Sequence, residues 1–154
     1  MPRTRQQIAK ANVARGKQTE RRVARILWSE LPLHEVWVRR AETRAWDLEG
    51  PSRVIEAHNL TTGEDDVLER MLLVEVKSRA WLEGPGSLWA FMGATHASLA
   101  EALMRWPENY RATSTAVVAY CPPRCPDEDI IFMVGPGELL RTAEFKRRYM
   151  GGNE

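Results

Sequence analysis

Long apolar runs and signal-like segments are both missing from this chain of 154 residues. No stretch approaches the ~18 uninterrupted apolar residues that a membrane-spanning helix requires, so we expect no membrane partner. Residues 1–5 are polar and basic, and they lack the apolar centre of a secretory signal. We therefore expect a cytoplasmic protein, in the host's cytoplasm if the source is a virus.

Cysteine is scarce, with Cys121 and Cys125 alone. Their spacing could be half of a zinc site, but no second cysteine pair exists and the three histidines are scattered. We therefore expect two small thiols, buried or at the surface, in a reducing compartment.

Lysine is scarce as well, with four lysines against eighteen arginines. One of the four, Lys77, follows an apolar run and forms a Glu-x-Lys pair with Glu75. Side chains alternate along a strand, so Glu75 and Lys77 are predicted on one face and Val74 and Val76 on the other. A carboxylate and an ammonium at the end of a buried strand need partners, which a divalent metal and a phosphate would supply. The alternative is a chance charged pair at a strand end.

The net charge is only +1, but its distribution is uneven. Eight basic residues and a single acid lie between Met1 and Trp28, whereas nine acids and three arginines lie between Ala41 and Glu75. The C-terminal segment is basic again. A basic first helix with a basic tail indicates phosphate contacts, and the alternative is a solvated helix face.

The apolar spacing predicts one α/β domain, residues 16–150, preceded by a basic arm or short helix at 1–15 and followed by a tail at 151–154. Gly50-Pro51 is expected to break a strand. The predicted elements are a helix at about Lys17–Glu30, strands at Glu35–Arg40, Ala45–Leu48, Arg53–Ala57 and Val67–Lys77, a helix at Ser87–Trp106 interrupted by Gly93, strands at Thr115–Tyr120 and Ile130–Val134, and a helix at Glu138–Tyr149. This order predicts a mixed central β-sheet flanked by α-helices.

Two more acids extend the Glu-x-Lys pair into a candidate site. Glu20 lies three residues before Val23 and seven before Leu27, so a helix would place it on their inward stripe. Asp47 begins the strand that precedes the Glu75 strand, and adjacent strands of a hairpin can bring two carboxylates together. Converging carboxylates suit a hard divalent ion such as magnesium.

The stretch Gly16–Val23, then Trp46-Asp47, then Val74–Ser78 resembles the PD-(D/E)XK nuclease superfamily, and within it the archaeal-type Holliday-junction resolvases. The resemblance runs from about Gly16 to Ser78. It implies a restriction-endonuclease-like fold, a homodimer, and a Mg²⁺-dependent endonuclease (Mn²⁺ as substitute) that makes paired symmetric nicks in four-way DNA junctions.

By the same resemblance, Asp47 and Glu75 would be the main metal ligands, and the Val76 carbonyl would complete the shell. Glu20 would assist at the metal, directly or through water. Lys77 would orient or deprotonate the attacking water and stabilise the transition state. The metal would act as Lewis acid.

The chain departs from the family in three places. Trp46 replaces a proline, and Thr43 would supply a hydroxyl where the family often has serine. The spacing from Asp47 to Glu75 is long, so residues 49–70 look like an insertion that extends a hairpin. Asp65 and Asp66 lie in that insertion as alternatives to Asp47.

The candidate DNA contacts are basic residues before, within and after this region, and such contacts position DNA without reading its sequence. They are Arg3, Arg5, Lys10, Arg15, Lys17, Arg39, Arg40, Arg44 and Arg79. The dimer face is expected on the Ser87–Trp106 helix or on the strand near Tyr120. Alternatives to a resolvase are another repair or restriction-like nuclease of the superfamily, or a non-catalytic DNA-binding protein on the same fold.

Overall fold

The computed structural model describes residues 2, 4–37, 46–78, 85–135 and 138–151, with the backbone alone for 9, 11–15, 55–58, 65–67, 85–86 and 110. In this part of the chain, five strands form one sheet in the order β1-β2-β3-β4-β5: β1 (Leu48–His58), β2 (Asp65–Lys77), β3 (Ser114–Tyr120), β4 (Ile131–Gly135) and β5 (Glu138–Arg141). The helices are α1 (Arg5–Leu27), α2 (Leu33–Val36), α3 (Pro85–Leu103), α4 (Glu108–Ala112) and α5 (Thr142–Tyr149), with a 3₁₀ turn at Asp127–Asp129. The predicted mixed sheet flanked by helices is confirmed at this level.

Strand β2 organises the sheet, because it pairs antiparallel with β1 and parallel with β3. A parallel pair needs a long crossover, and α3 and α4 supply it here. Strands β4 and β5 then add in antiparallel fashion. As a result, β1 is an edge strand and β3 lies at the centre.

Each face of the sheet is covered by its own apolar core. Residues Leu72 and Val74 of β2 point into the core shared with α1 and α5. Leu73 points the other way, into the core shared with α3. This alternation is the period of two expected of a strand, and full burial of one such side chain contributes roughly 1.5–3 kcal/mol.

The expectation that Gly50-Pro51 breaks a strand is wrong, since β1 runs straight through it. An edge strand tolerates proline, because the missing N–H need not pair with a neighbouring strand. The Trp28 indole of α1 lies against Gly50, where a Cβ would overlap the ring, and its Nε1 donates to the Pro51 carbonyl at 2.8 Å. The two residues thus form the docking point of α1.

Two other predicted elements are wrong in part. The predicted strand at Glu35–Arg40 begins inside α2, which starts after Pro32, and Trp37 makes one isolated bridge to Leu48. Residues 38–40 of that strand lie outside the described residues.

The predicted helix at Glu138–Tyr149 is instead β5 followed by α5, because Leu139 and Leu140 pair with β4. Helix α3 continues through Gly93 without interruption and ends at Leu103.

Helix α1 is longer than its apolar pattern predicts. It begins at Arg5 with a capping box between Thr4 and Gln7, and continues through Gly16 to Leu27. The basic N-terminal segment is therefore helical from Arg5 and joined to the helix that carries Glu20. Among the described helices, none is long and apolar enough to cross a membrane.

Candidate active site

The charged pair at the end of β2 lies as the strand periodicity predicts. The Lys77 Nζ is 3.1 Å from the Glu75 Oε1, so the two side chains share a face. The Glu75 side chain is 19% exposed and that of Lys77 38%, so both reach solvent at the rim of the sheet. The intervening Val76 packs against the opposite core.

Asp47 is held beside this pair by the register of β1 and β2. Leu48, the first residue of β1, pairs with Val74, the residue that precedes Glu75. Asp47 therefore lies where the ladder of β1 begins, at the end of β2 that carries Glu75 and Lys77.

Two hydrogen bonds fix Asp47 more closely. Its N–H donates to the Val74 carbonyl at 2.9 Å, and its Oδ2 accepts from the Val76 N–H at 2.8 Å. The preceding Trp46 is 1% exposed and packs 5.6 Å from Trp106, which anchors this backbone in the second core. Trp46 is therefore a core residue.

The same geometry aims the Val76 carbonyl toward Asp47. The N–H and C=O of one residue in an extended strand point to the same side. The Val76 N–H faces Asp47, whereas the next carbonyl, that of Lys77, faces β3 and accepts from Cys121 N–H at 2.8 Å. The Val76 carbonyl consequently points into the gap that Asp47 borders.

Glu20 approaches from the other layer. It is half-buried on α1, and its Oε1 accepts from the Trp37 Nε1 at 3.1 Å. Trp37 bridges to Leu48, the neighbour of Asp47. Since α1 packs on the face opposite to Glu75, the helix acid reaches this end of the sheet from behind.

The donor set suits a magnesium ion, which takes one or two carboxylates and completes its octahedron with waters and phosphate oxygens. Asp47, Glu75 and the Val76 carbonyl are the residues placed to hold it. Within the described ranges, no group of three or more His, Cys, Asp or Glu side chains is placed to hold one ion. The expectation that Glu20 joins the two strand carboxylates as a direct ligand is therefore unsupported, and a role through water stays a prediction.

The alternative acids of the insertion lie far from this point. Asp65 and Asp66 pair with His58 and Ala57 at the other end of the hairpin. Ten residues of strand separate Asp65 from Glu75, a span of roughly 33 Å. The geometry favours Asp47.

The predicted DNA contacts are only partly within the described residues. Arg5, Lys10 and Lys17 are exposed on α1, and Arg15 lies on the same helix. The others fall outside the described residues, as does the candidate hydroxyl Thr43; they are Arg3, Arg39, Arg40, Arg44 and Arg79.

One basic residue of α1 has a structural partner that the charge pattern did not reveal. Arg22 Nε donates to Asp127 Oδ1 at 2.5 Å, its NH1 lies 3.3 Å from the Cys121 Sγ, and its NH2 donates to the Cys125 carbonyl. Burial alone would lower the pKa of Arg22, but the hydrogen bond to Asp127 and the charge interactions with Asp127 and the two cysteines together raise that pKa above its ordinary value. Arg22 ties α1 to the loop that follows β3.

The two cysteines in that loop are free and buried. Burial raises the pKa of both thiols, and the nearby Arg22 offsets part of that rise. Because the Cys121 N–H also donates to the Lys77 carbonyl, the loop connects α1 to the end of β2.

Comparison with known proteins finds no matching family model, no matching curated protein and no matching solved structure. The case for a function therefore depends on the geometry of this site.

Proposed function

We propose that this protein is a metal-dependent endodeoxyribonuclease of the PD-(D/E)XK type that resolves four-way DNA junctions. The observation that carries the proposal is the hydrogen bond from the Val76 N–H to the Asp47 Oδ2 at 2.8 Å, which holds Asp47 at the end of β2 where Glu75 and Lys77 form their ion pair. Two carboxylates, a backbone carbonyl and a lysine at one strand end are the groups that the resemblance to the Holliday-junction resolvases implies for the site.

The roles follow from position. Asp47, Glu75 and the Val76 carbonyl would hold Mg²⁺, or Mn²⁺ in its place, and the ion would supply Lewis acidity and a charge that offsets the phosphate. Lys77 lies 3.1 Å from Glu75, so its ammonium is beside one of the carboxylates that would bind the ion. There it orients the attacking water and stabilises the charge that builds up on the phosphate. Glu20 acts through water from the α1 side.

The exposed basic residues of α1 support DNA as the substrate. Lys10 and Lys17 are seven residues apart, so they lie on one helix face, and both are exposed. The double variant Lys10→Ala/Lys17→Ala is expected to lower the slope of log affinity against log salt by about 2, because each lost phosphate contact removes ~0.9. The control removes two exposed arginines outside α1, Arg105→Ala/Arg141→Ala, and should keep the slope. An unchanged slope in the α1 variant would show that this helix does not touch phosphates.

A two-fold dimer would present two such sites to the two strands that a resolvase nicks. Of the two faces expected for the dimer, we favour helix α3, on which Trp89 is 43% exposed, because Tyr120 is fully buried in the central strand β3.

The deciding experiment compares a synthetic four-way junction with the same arms as linear duplex, each with Mg²⁺. Paired symmetric nicks on the junction alone are expected. Equal cutting of the duplex would favour another nuclease of the superfamily. Tight junction binding without cutting would favour the non-catalytic alternative. That outcome is worth testing because, among the described residues, no three His, Cys, Asp or Glu side chains are grouped to hold one metal ion.

A further inference from the structure

Helix α1 carries an exposed row of four cationic side chains, of which two, Lys10 and Lys17, are already among the candidate DNA contacts. Lys10, Lys17, Arg21 and Arg25 follow one another at spacings of seven, four and four residues, and all four are exposed. Such spacings keep side chains on one face of a helix. The row is about 22 Å long at 1.5 Å per residue. Glu20, the one acid between its ends, instead accepts a hydrogen bond from Trp37.

At the C-terminal end of this row, an apolar cleft opens between α1 and α2. Its volume is about 140 Å³. Ala24 and Trp28 line it from α1, and Leu31, Leu33 and Val36 line it from the following segment. The Trp28 indole is held by its hydrogen bond to the Pro51 carbonyl, so this wall is formed before any ligand arrives.

The rim of the cleft is cationic. Arg21 and Arg25, the last two members of the row, stand at its mouth with Ser29. Pockets for whole cofactors measure roughly 300–1,000 Å³, which is well above this cleft. One flat ring fits the space better, and guanidinium groups stack on the faces of nucleobases while they attract phosphate.

We propose that the cleft takes one unpaired nucleobase from the DNA strand whose phosphates lie along Lys10, Lys17, Arg21 and Arg25. The inference rests on the proposed function, because that strand is the substrate of the nuclease. The inference adds Arg21 and Arg25 to the candidate DNA contacts. It also adds a base-binding site that takes no part in the proposed cleavage chemistry.

A chain of contacts leads from the cleft to the start of β1. The Arg21 guanidinium lies 5.0 Å from the centre of the Trp37 ring, and Trp37 in turn holds Glu20 and bridges to Leu48. A strand with a base in the cleft would therefore approach the start of β1, next to Asp47, from the α1 face of the sheet. Branch points and frayed ends offer unpaired bases, so the cleft would favour branched DNA over continuous duplex.

The test measures binding without metal, so that cutting plays no part. The probes are a duplex with a single-stranded extension of four thymines and the same duplex with four abasic sites in the extension. Both carry the same phosphates, so a difference in affinity reports the bases alone. The wild-type protein is expected to bind the thymine probe about tenfold more tightly, the effect of stacking one base on side chains.

Two variants assign that preference to the cleft. Ser29→Phe changes an exposed position at the rim and places a ring in the cleft. It should abolish the preference while affinity for the abasic probe stays within about twofold. Arg25→Ala should lower the preference about threefold by removing a cation from the base face. Arg105→Ala removes the same charge from the exposed loop after α3, on the other face of the sheet, and should leave the preference unchanged.

Equal affinity of the wild-type protein for the two probes would overturn the inference, as would a preference that survives in both Ser29→Phe and Arg25→Ala. Cleavage of the four-way junction with Mg²⁺ is assayed separately. A base preference without cleavage would support the base-binding cleft and contradict the proposed nuclease. Cleavage without a base preference would support the nuclease and contradict the base-binding cleft. No binding to either probe would also overturn the inference, and the cleavage assay would still decide the proposed nuclease.

Discussion

The strand carboxylates and the helix carboxylate of the candidate site are positioned by different means. Asp47 and Glu75 are brought to the same end of the sheet by the pairing of β1 with β2, and Asp47 is held further by the Val76 N–H. Glu20 is placed by the docking of a separate helix and by its hydrogen bond with Trp37. The strand pair therefore persists as long as the hairpin is paired, whereas the position of Glu20 depends on how α1 sits on the sheet.

Specific contacts add to the apolar packing that holds α1 in place. They include the Trp28 indole against Gly50 and Pro51, Arg22 on the loop after β3, and the Glu20–Trp37 hydrogen bond itself. The contacts of Trp28 and Arg22 lie on either side of the sheet end that carries the site, so each can be weakened without the other. We therefore expect substitutions to have graded effects on cleavage and stability.

The largest effect is expected from the strand set. Glu75→Gln and Lys77→Met each keep the approximate size of the side chain and remove its charge. Junction cleavage should fall on the order of a thousandfold, because a metal ligand or the ammonium beside it is lost. Single-turnover cleavage with Mg²⁺ measures this, and affinity for the junction, measured without metal, should be retained. Normal cutting by either variant would show that the site is wrongly assigned.

The next effect is expected from undocking α1. Gly50→Ala inserts a Cβ into the Trp28 ring and should lower the free energy of unfolding by about 1–3 kcal/mol, the usual cost of overpacking. Gly93→Ala is the matched control, since nothing lies within 4 Å of a Cβ there and alanine favours a helix by roughly 0.5–1 kcal/mol. Urea titration measures both. A Gly50→Ala protein as stable as the Gly93→Ala protein would contradict this account of the docking.

The strand half of the site was predictable from the sequence, and the helix half was only partly so. The alternation of apolar and charged residues at 74–77 already places Glu75 and Lys77 on one face, because a strand's period is local. The local turn propensity of Gly50-Pro51 predicted a strand break, which was wrong. The strand continues there and contacts Trp28, a residue distant in the chain. Similarly, the partner of Glu20 is Trp37, and β5 forms only because β4 lies beside it. Such pairings are set by tertiary contacts, which override propensity.

A smaller effect separates the helix acid from the strand pair. Glu20→Gln and Trp37→Phe each weaken the hydrogen bond between Glu20 and Trp37, the first by removing the carboxylate charge and the second by removing the donor. Each should lower cleavage about tenfold, less than a direct metal ligand costs. The double variant should be little worse than either single one, since residues in one hydrogen-bonded pair are not additive. A loss from Glu20→Gln as large as that from Glu75→Gln would instead place Glu20 among the direct ligands.

The smallest effect concerns the loop by which Arg22 joins α1 to the end of β2. Burial raises the pKa of Cys121 and Cys125, so the folded protein keeps both thiols protonated at a pH where the unfolded chain loses those protons. The stability they contribute is complete below the ordinary thiol pKa of about 8.5 and is lost as the pH rises above it. Between about pH 7.5 and about pH 9.5, the free energy of unfolding should therefore fall more in the wild-type protein than in the double variant Cys121→Ala/Cys125→Ala. Because Tyr149, whose pKa is also raised by burial, is present in both proteins, its contribution cancels. Equal pH dependence in the two proteins would mean that the thiols, and the loop they occupy, are not shielded from solvent by the docking of α1.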